Sequence, residues 1–320
     1  MSRYEEADLS LLKTIPIEKR KSKVRVEDFL KIPGSRGAAP APAGTQLSPE
    51  AEDSLRQLVK AICTAKAAGR TIGFMMGGHV VKTGVSPAVI ELMKAGFVTV
   101  AGMPGSTAIH DFEIAMWGRT SEPVEDVLDS GEFGMACEPA RLMNHAIRKG
   151  RENAEGLGEA LGRFLTENHA RYSERSILAS AYSLGIPATV HVTIGADVIH
   201  MHPECDGASL GELSHRDFKI FVAALKKLGG GVLVNIGSAV VMPEVFLKAV
   251  SILRNQGIDL TEMVTANLDR IAHYRPTKNV VERPVSKSGK GLFIQGEHEV
   301  LVPLLCSRVL EYFSEKRHAG

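Results

Sequence analysis

Two histidines separated by one residue, His200 and His202, are the first candidates for chemistry in this chain. On a strand both side chains would point the same way, and two imidazoles on one side can share a metal ion. His191 and residues 204–206 stand nearby, but a site of this kind needs a third and a fourth ligand from elsewhere, which the sequence does not assign. A metal-dependent hydrolase is therefore one hypothesis, and a metal-free polar pocket or turn is the preferred alternative.

A second candidate is the Gly-Ala-Ser-Leu-Gly sequence of residues 207–211, which matches the five-residue pattern of a hydrolase nucleophile elbow. That motif requires a strand directly before the serine, whereas residues 203–206 are typical of a loop. We therefore interpret residues 207–211 as a flexible glycine loop that leads to a helix beginning at Ser214.

The elements that would position polar groups are clearest in residues 71–118, which predict a strand, a helix, a second strand and a second helix. Two glycines stop the first strand, and a glycine-containing loop follows the second strand and precedes a helix N-terminus. Ligands of open parallel sheets lie beyond the carboxyl ends of the strands. Residues 77–83 and 103–111 should therefore line one crevice.

The rest of the chain continues this alternation, which predicts an α/β fold with a doubly wound parallel sheet of Rossmann-like type. Residues 1–45 are interpreted as an N-terminal arm and linker, Gly/Ala/Pro-rich over 34–44, and residues 46–320 as a single α/β domain. The predicted strands cover residues 71–76, 97–102, 188–193, 231–236 and 260–265. The predicted helices cover residues 49–68, 86–95, 106–117, 139–170 with a break near Gly156 and Gly158, 174–183, 214–227, 243–256 and 299–315.

Further polar residues stand at the predicted ends of later strands or at helix starts, where they would reach the same crevice. Neither a GxGxxG fingerprint nor a Walker A lysine motif accompanies them, so an ordinary Rossmann dehydrogenase is not supported. These residues are Gly237 and Ser238 with Glu244 at the next helix start, Thr265 and Ala266, Lys278 in a polar loop, and Glu297 and His298.

Composition excludes several classes of partner and site. A net charge of +1 gives no electrostatic footprint for nucleic acid or for an anionic membrane. No apolar run reaches the roughly 18 residues of a membrane span, and the charged N-terminus lacks a signal-peptide core. Four cysteines lie far apart without a CxxC pair, which argues against a disulfide framework and a zinc ribbon. We therefore expect a cytoplasmic protein.

Taken in order, these motifs resemble deoxyhypusine synthase, and the resemblance covers residues 70–312. The first half is similar also to the NAD-dependent ornithine cyclodeaminase domains of LOR/SDH type. The resemblance rests on residues 77–84, 105–111, Ile186-Pro187 with 193–197, 237–241, Thr265-Ala266, and Glu297-His298 before 303–305.

This resemblance implies an NAD-dependent enzyme that takes a hydride from the carbon bearing an amine and so forms an imine. Deoxyhypusine synthase then passes an aminobutyl group to a protein lysine, whereas the cyclodeaminase loses ammonia and closes ornithine to proline. A homotetramer, whose N-terminal arm covers a neighbouring subunit's site, is implied as well. The implied cofactor-binding residues are Gly78, His79, Lys82, Thr83, Gly105, Ser106, Asp111, Gly237, Ser238, Thr265, Ala266, Glu297 and His298. The implied catalytic residues are Lys278, Glu244, His200, His202 and Asp197.

The chain departs from deoxyhypusine synthase at two motifs. The aromatic-Gly pair before the catalytic lysine is missing, which leaves Lys278 as the nearest candidate. Met242-Pro243-Glu244 stands where that family has Lys-His. Chemistry on a small amine or amino acid is therefore preferred over transfer to a protein lysine. The missing lysine context leaves a catalytically inactive, NAD-binding regulatory protein as an alternative.

Overall fold

The computed structural model describes residues 3–31 and 47–318, and the predicted linker over 34–44 lies outside them. In the described residues, β1 and β4 pair antiparallel as a small ribbon, and six parallel strands form the main sheet. The strands are β1 (Val24–Arg25), β2 (Ile72–Met76), β3 (Val100–Pro104), β4 (Arg119–Thr120), β5 (Ala188–His191), β6 (Val232–Ile236), β7 (Val264–Asp269) and β8 (Lys290–Gln295).

The order of the main sheet is β5-β3-β2-β6-β7-β8, and every neighbouring pair is parallel. The chain therefore runs outward from β2 through β3 to β5, returns to the other side of β2 as β6, and runs outward again. This is the order of a doubly wound dinucleotide-binding sheet, with its topological switch point between β2 and β6. The predicted fold class is confirmed.

Helices cover both faces of the sheet. Phe74 belongs to the hydrophobic cluster that contains Leu55 of the first helix, whereas its neighbour Met75 belongs to the cluster that contains Phe246 on the opposite face. Among the described residues, no helix has the length and apolarity that crossing a membrane requires. The helices are α1 (Pro49–Ala67), α2 (His79–Lys82), α3 (Ser86–Lys94), α4 (Gly105–Trp117), α5 (Val124–Val127), α6 (Cys137–Glu152), α7 (Leu157–Glu167), α8 (Ile177–Leu184), α9 (Gly207–Ala224), α10 (Val241–Asn255), α11 (Tyr274–Pro276) and α12 (His298–His318).

Helix α9 begins seven residues before the predicted start at Ser214, so residues 207–211 are helical and the interpretation as a glycine loop is wrong. Asp206 caps the helix by accepting a hydrogen bond from the backbone N–H of Ala208 and one from the hydroxyl of Ser209. Ser209 is buried and bound to this cap, which suits a helix start rather than a nucleophile elbow.

The predicted end of the strand over 260–265 is also wrong, because β7 runs from Val264 to Asp269. Leu260 and Met263 are buried, but they pack from the connecting segment against the cluster under α10. Their apolar character therefore shifted the predicted strand by four residues. The strand β8, which begins beside two glycines at 289 and 291, was not predicted.

The N-terminal segment, residues 15–29, packs on its own chain. Ile15 forms a bridge to Ala136, and β1 pairs with β4, placing Val24 opposite Thr120. Phe29 is buried against Val81 and Ile114. The described part of the predicted arm therefore packs on the domain of the same chain, and the expectation that the arm covers a neighbouring subunit's site stays a prediction.

Candidate active site

Two glycines bring the turns after β2 and β6 into contact at the switch point. The N–H of Gly77 donates to the carbonyl of Ile236 at 2.8 Å. A Cβ on Gly77 would lie 2.2 Å from the carbonyl oxygen of Gly237, which itself has a left-handed φ of 65°. No side chain fits at this crossing, and close backbone approach of this kind is what dinucleotide-binding turns require of glycine.

Two predicted histidines lie at the rim of this crossing. The rings of His79, at the start of α2, and His298, at the start of α12, stack with centroids 5.9 Å apart. Burial, followed by the charge of Lys82, lowers the pKa of His79. The Nε2 atom of His298 is buried without a hydrogen-bond partner and lies 2.7 Å from the position of a Cβ on Gly237. It is therefore a polar atom that a ligand at the crossing can satisfy.

Beside the crossing lies a cavity of about 240 Å³, here named the edge cavity. The N-terminal segment, α2, α4 and the loop after β5 form its walls. Its polar lining carries both signs of charge and consists of Arg20, Lys82, Ser106, His110, Glu113, Ser121, Glu122 and Asp197.

Asp197 lies against the N-terminus of α4 in this cavity. A Cβ on Gly105 would lie 2.1 Å from Oδ2 of Asp197, so only glycine lets the carboxylate reach this position. Burial raises the pKa of Asp197 to about 6. His200, which forms a capping box with Asp197, accepts backbone N–H bonds at Nδ1 from Gly195 and Asp197. A neutral His200 therefore carries its proton on Nε2, 3.9 Å from Oδ2 of Asp197.

A hydrogen-bonded chain of four side chains leads into the same cavity. Arg20 binds both carboxylate oxygens of Glu113, at 2.5 and 3.0 Å. The hydroxyl of Thr120 donates to Glu113 at 2.6 Å and contacts Nδ1 of His110 at 2.8 Å. Burial, then the charges of Lys82 and Arg20, lower the pKa of His110 to about 3. His110 is thus a neutral imidazole in a charged cavity.

Sequence reasoning did not identify most of these four hydrogen-bonded side chains. It placed His110 only within residues 103–111 of the predicted crevice and did not name Arg20, Glu113 or Thr120 as site residues. The one available signal was His110 itself, on the helix predicted after the glycine loop. The positions of Arg20 and Thr120 depend on the pairing of β1 with β4, which local sequence does not encode.

Asp111 was predicted to bind the cofactor, and the structure contradicts this. Its side chain is fully buried and accepts three hydrogen bonds at the start of α8, from the Ser176 hydroxyl and the N–H groups of Ile177 and Leu178. Burial raises its pKa to about 6. Asp111 is a fully buried helix cap that a ligand cannot reach.

Thr265 and Ala266 also lie away from the crevice, because they are buried inside β7 rather than after it. The Thr265 hydroxyl donates to the carbonyl of Val280 at 2.6 Å. Thr83 ends α2, and its hydroxyl donates to the carbonyl of His79 at 2.8 Å. These three residues therefore have structural partners.

Two predicted catalytic residues lie together on the α10 side of the sheet. Lys278 pairs with Glu282 at 2.5 Å on the π-helix Thr277–Glu282, and Glu244 contacts Lys248 and Asn279. Lys248, through its hydrogen bond, lowers the pKa of Glu244. Neither Lys278 nor Glu244 lines the edge cavity.

The histidine pair does not have the arrangement that a shared metal requires. Residues Val198–His200 form a 3-10 helix rather than a strand, so the expected common direction of the two side chains fails. His202 is buried with Nε2 at 2.8 Å from the carbonyl of Gly134. Across residues 3–31 and 47–318, no group of three or more His, Cys, Asp or Glu side chains is placed to hold a metal ion.

The remaining predicted cofactor residues stay at the carboxyl edge of the sheet. Gly78 adjoins the ring of His110, and Ser106 is exposed in the first turn of α4. Ser238 is buried after β6, where its hydroxyl accepts the N–H of Met242 at 3.4 Å. Glu297 is exposed directly before α12.

No family model matches the chain. An ornithine cyclodeaminase from Methanothermobacter thermautotrophicus (strain Delta H) is 30% identical over 121 residues, which are 38% of this chain. That match spans about a quarter, 26%, of the relative's own length.

Solved structures with the same fold have low sequence identity. A LOR/SDH protein from Methanococcus maripaludis S2 superposes with a TM-score of 0.51 at 14% identity, over 90% of this chain and 74% of its own. AgrE, in a ternary complex with ornithine and NAD+, gives a TM-score of 0.50 at 14% identity, over 86% of this chain and 35% of AgrE. A deoxyhypusine synthase homologue from Entamoeba histolytica gives a TM-score of 0.49 at 10% identity, over 81% of this chain and 87% of its own. The LOR/SDH protein and AgrE therefore confirm, at the level of fold, the resemblance stated from the sequence.

Proposed function

We propose that this chain binds NAD at the switch point between β2 and β6 and oxidises the amine-bearing carbon of a small amine or amino acid in the edge cavity. One observation carries the proposal: a cavity lined by both signs of charge adjoins the glycine crossing of a doubly wound sheet. Two similarities support it. The matched relative is an ornithine cyclodeaminase, and AgrE, which shares the fold, is seen with ornithine and NAD+.

The residues at the crossing and at the start of α4, on the edge-cavity side, suit a dinucleotide. The N-terminus of α4, at Gly105 and Ser106, offers backbone N–H groups and a positive dipole end to a pyrophosphate. The buried, unpartnered Nε2 of His298 offers a hydrogen bond at the crossing. When bound, NAD+ would supply the acceptor for a hydride.

The edge cavity suits a substrate that carries an ammonium group, and an amino acid in particular. Lys82 can bind a carboxylate, and Asp197 can bind an ammonium group. Burial raises the pKa of Asp197 to about 6, which suits a base that works near neutral pH. Asp197 would take a proton from the ammonium nitrogen and free its lone pair. The adjacent C–H bond then breaks, its electron pair leaves as hydride, and an iminium forms.

Titration of NAD+ into the purified protein tests the cofactor, with Ser106→Glu as the diagnostic variant. Ser106 is the exposed second residue of α4, where an acidic side chain is favourable for the helix but repels the phosphates of the cofactor. We expect its Kd for NAD+ to rise about tenfold or more. Ala208→Glu is the matched control, since Ala208 is the exposed second residue of α9 and does not line the cavity.

An assay with L-ornithine, putrescine and spermidine then tests the reaction, by nicotinamide absorbance and by product mass. Turnover of at least one of these amines is the expected result. Binding of NAD+ without turnover would favour the inactive regulatory alternative, and failure to bind NAD+ would overturn the proposal. The steps after the imine, the homotetramer and the cytoplasmic location stay predictions. Product mass, light scattering and cell fractionation test them.

A further inference from the structure

We infer that His110 recognises the substrate by accepting a hydrogen bond from it. The hydrogen-bonded side chains Arg20, Glu113 and Thr120 hold the imidazole of His110 in the Nδ1–H tautomer. Its Nε2 then accepts an N–H from the ammonium group of the substrate. This inference rests on the proposed function for the identity of the substrate. The tautomer itself follows from contacts within the protein alone.

The direction of each hydrogen bond follows from what each group can donate. Both oxygens of Glu113 accept from the guanidinium of Arg20, so Glu113 is a carboxylate with no proton to give. The Thr120 hydroxyl, 2.6 Å from Glu113, must therefore donate its one proton there. Toward His110 it can only accept, which requires the imidazole to carry its proton on Nδ1.

The free lone pair of such a ring lies on Nε2, on the edge away from Thr120. That edge faces the turn after β2: a Cβ on Gly78 would lie 3.3 Å from Cδ2 and 3.7 Å from Nε2 of His110. The residue lines the edge cavity together with Asp197 and Lys82. Because His110 and Asp197 line the same cavity, an ammonium group bound there by Asp197 can also reach Nε2.

His110 stays neutral because burial, and then Lys82, Arg20 and His79, lower its pKa to about 3. Lys82 and His79 approach from α2 and Arg20 from the N-terminal segment, while Asp197 and Glu122 are further carboxylates that line the same cavity. Glu113 is held by Arg20 and reaches the ring only through Thr120. An imidazole with so low a pKa is a poor base, but its Nε2 stays available as a hydrogen-bond acceptor. Removal of the proton is therefore left to Asp197.

Arg20 makes this arrangement dependent on the N-terminal segment. Its guanidinium is buried and also approaches Glu122 at 3.4 Å. Ile17, three residues earlier, is buried, and its N–H donates to the carboxylate of Glu138 at 2.8 Å. The segment thereby fixes Arg20, and Arg20 fixes Glu113. We class Arg20, Glu113 and Thr120 as positioning residues, since their effect on the substrate passes through His110.

The first test is the tautomer, measured by NMR of the protein with 15N-labelled histidine rings between pH 5 and 8. The signal of His110 is assigned by its loss in His110→Gln. We expect a neutral Nδ1–H pattern that does not titrate. Thr120→Val removes the hydroxyl and keeps a strand-forming side chain. The ring of His110 should then change to the commoner Nε2–H tautomer. Thr120→Ser, the matched control, should keep the Nδ1–H form. An Nε2–H ring or a titrating ring in the wild-type protein overturns the inference without any assay of NAD or substrate.

The second test separates recognition from chemistry, with L-ornithine and NAD+ as probes. Ornithine should shift the Nε2 resonance of His110 in the wild-type protein. Thr120→Val should raise the KM for ornithine about tenfold, with kcat and its pH profile kept, and Thr120→Ser should restore KM. If the ring of His110 is in the Nδ1–H form but its Nε2 resonance does not shift when ornithine is added, the proposed recognition of the substrate is overturned. If NAD+ also fails to bind, the proposed function fails with it, whereas NAD+ binding alone leaves that function standing.

Discussion

Two buried aspartates at helix N-termini, Asp111 at α8 and Asp197 at α4, show what separates a structural carboxylate from a chemical one. Burial raises the pKa of each to about 6. Both carboxylate oxygens of Asp111 accept hydrogen bonds, from three donors in all, and the side chain has no solvent contact. Asp197 lines a cavity, with His200 Nε2 at 3.9 Å and Gly105 leaving space for its Oδ2. A raised pKa therefore does not identify a functional group unless the group also has hydrogen-bonding capacity to spare.

The two aspartates should differ most in their contribution to stability, which replacement of Asp111 tests. Asp111→Ala leaves the Ser176 hydroxyl and two backbone N–H groups without their acceptor inside the core, so we expect the free energy of unfolding to fall by about 3 kcal/mol. Asp197→Ala should change it by less than about 1 kcal/mol. Urea denaturation measures both, and equal losses in the two variants would contradict the distinction.

Replacement of the second carboxylate should affect the reaction instead. We expect Asp197→Asn to lower kcat for the amine substrate about 100-fold, because an amide cannot take the ammonium proton. Its urea midpoint should stay close to that of the wild-type protein. Initial rates of nicotinamide reduction measure the effect, and a variant that keeps more than a third of the wild-type rate would remove Asp197 from the role of base.

The pH dependence of stability sharpens the comparison further. A carboxyl group whose pKa is raised in the folded state binds more protons there than in the unfolded chain, so stability falls as pH rises from about 4 to about 6. Asp197→Asn should remove its share of this fall, on the order of 1–2 kcal/mol. Urea titrations at pH 4, 5, 6 and 7 measure it. A variant with the same slope as the wild-type protein would contradict the raised pKa of Asp197.

The smallest effect is expected from the serines at the same two helices. Ser176→Ala removes a hydroxyl that donates to Asp111 and accepts the N–H of Ala179, and should cost about 1 kcal/mol of unfolding free energy. Ser106→Ala, at the exposed start of α4, should cost less than about 0.5 kcal/mol. Thermal or urea unfolding distinguishes them, and a larger loss at Ser106 would show that this helix start has a structural bond we have not identified.

Much of the fold could be predicted from local sequence, because glycines and Ser-Pro pairs mark where elements stop and start. Helix α1 begins at Pro49 after its cap Ser48, as predicted, and α3 begins at Ser86, the first residue of the predicted range 86–95. Strand β7 was misplaced because Leu260 and Met263 are as apolar as strand residues while packing from a loop. Burial and strand pairing are separate properties, and sequence patterns report chiefly the first.

The candidate site was predictable only where a residue follows its own strand. Lys82, Gly105, Ser106 and Asp197 were placed correctly at the carboxyl edge because parallel strands end there together. The role of Asp111 was not, since its donors come from α8, more than sixty residues later. Hydrogen-bond saturation is a tertiary property.

The N-terminal segment has a consequence for the order in which the molecule assembles. Arg20 and Glu113 are 93 residues apart along the chain, and Ile17 and Glu138 are 121 residues apart. Contacts between residues so distant in sequence carry a high loop-closure cost and form late. The N-terminal segment is synthesised before α4 and α6 and can dock only when both helices exist. We expect the edge cavity to form last in folding, when the N-terminal segment docks on α4 and α6.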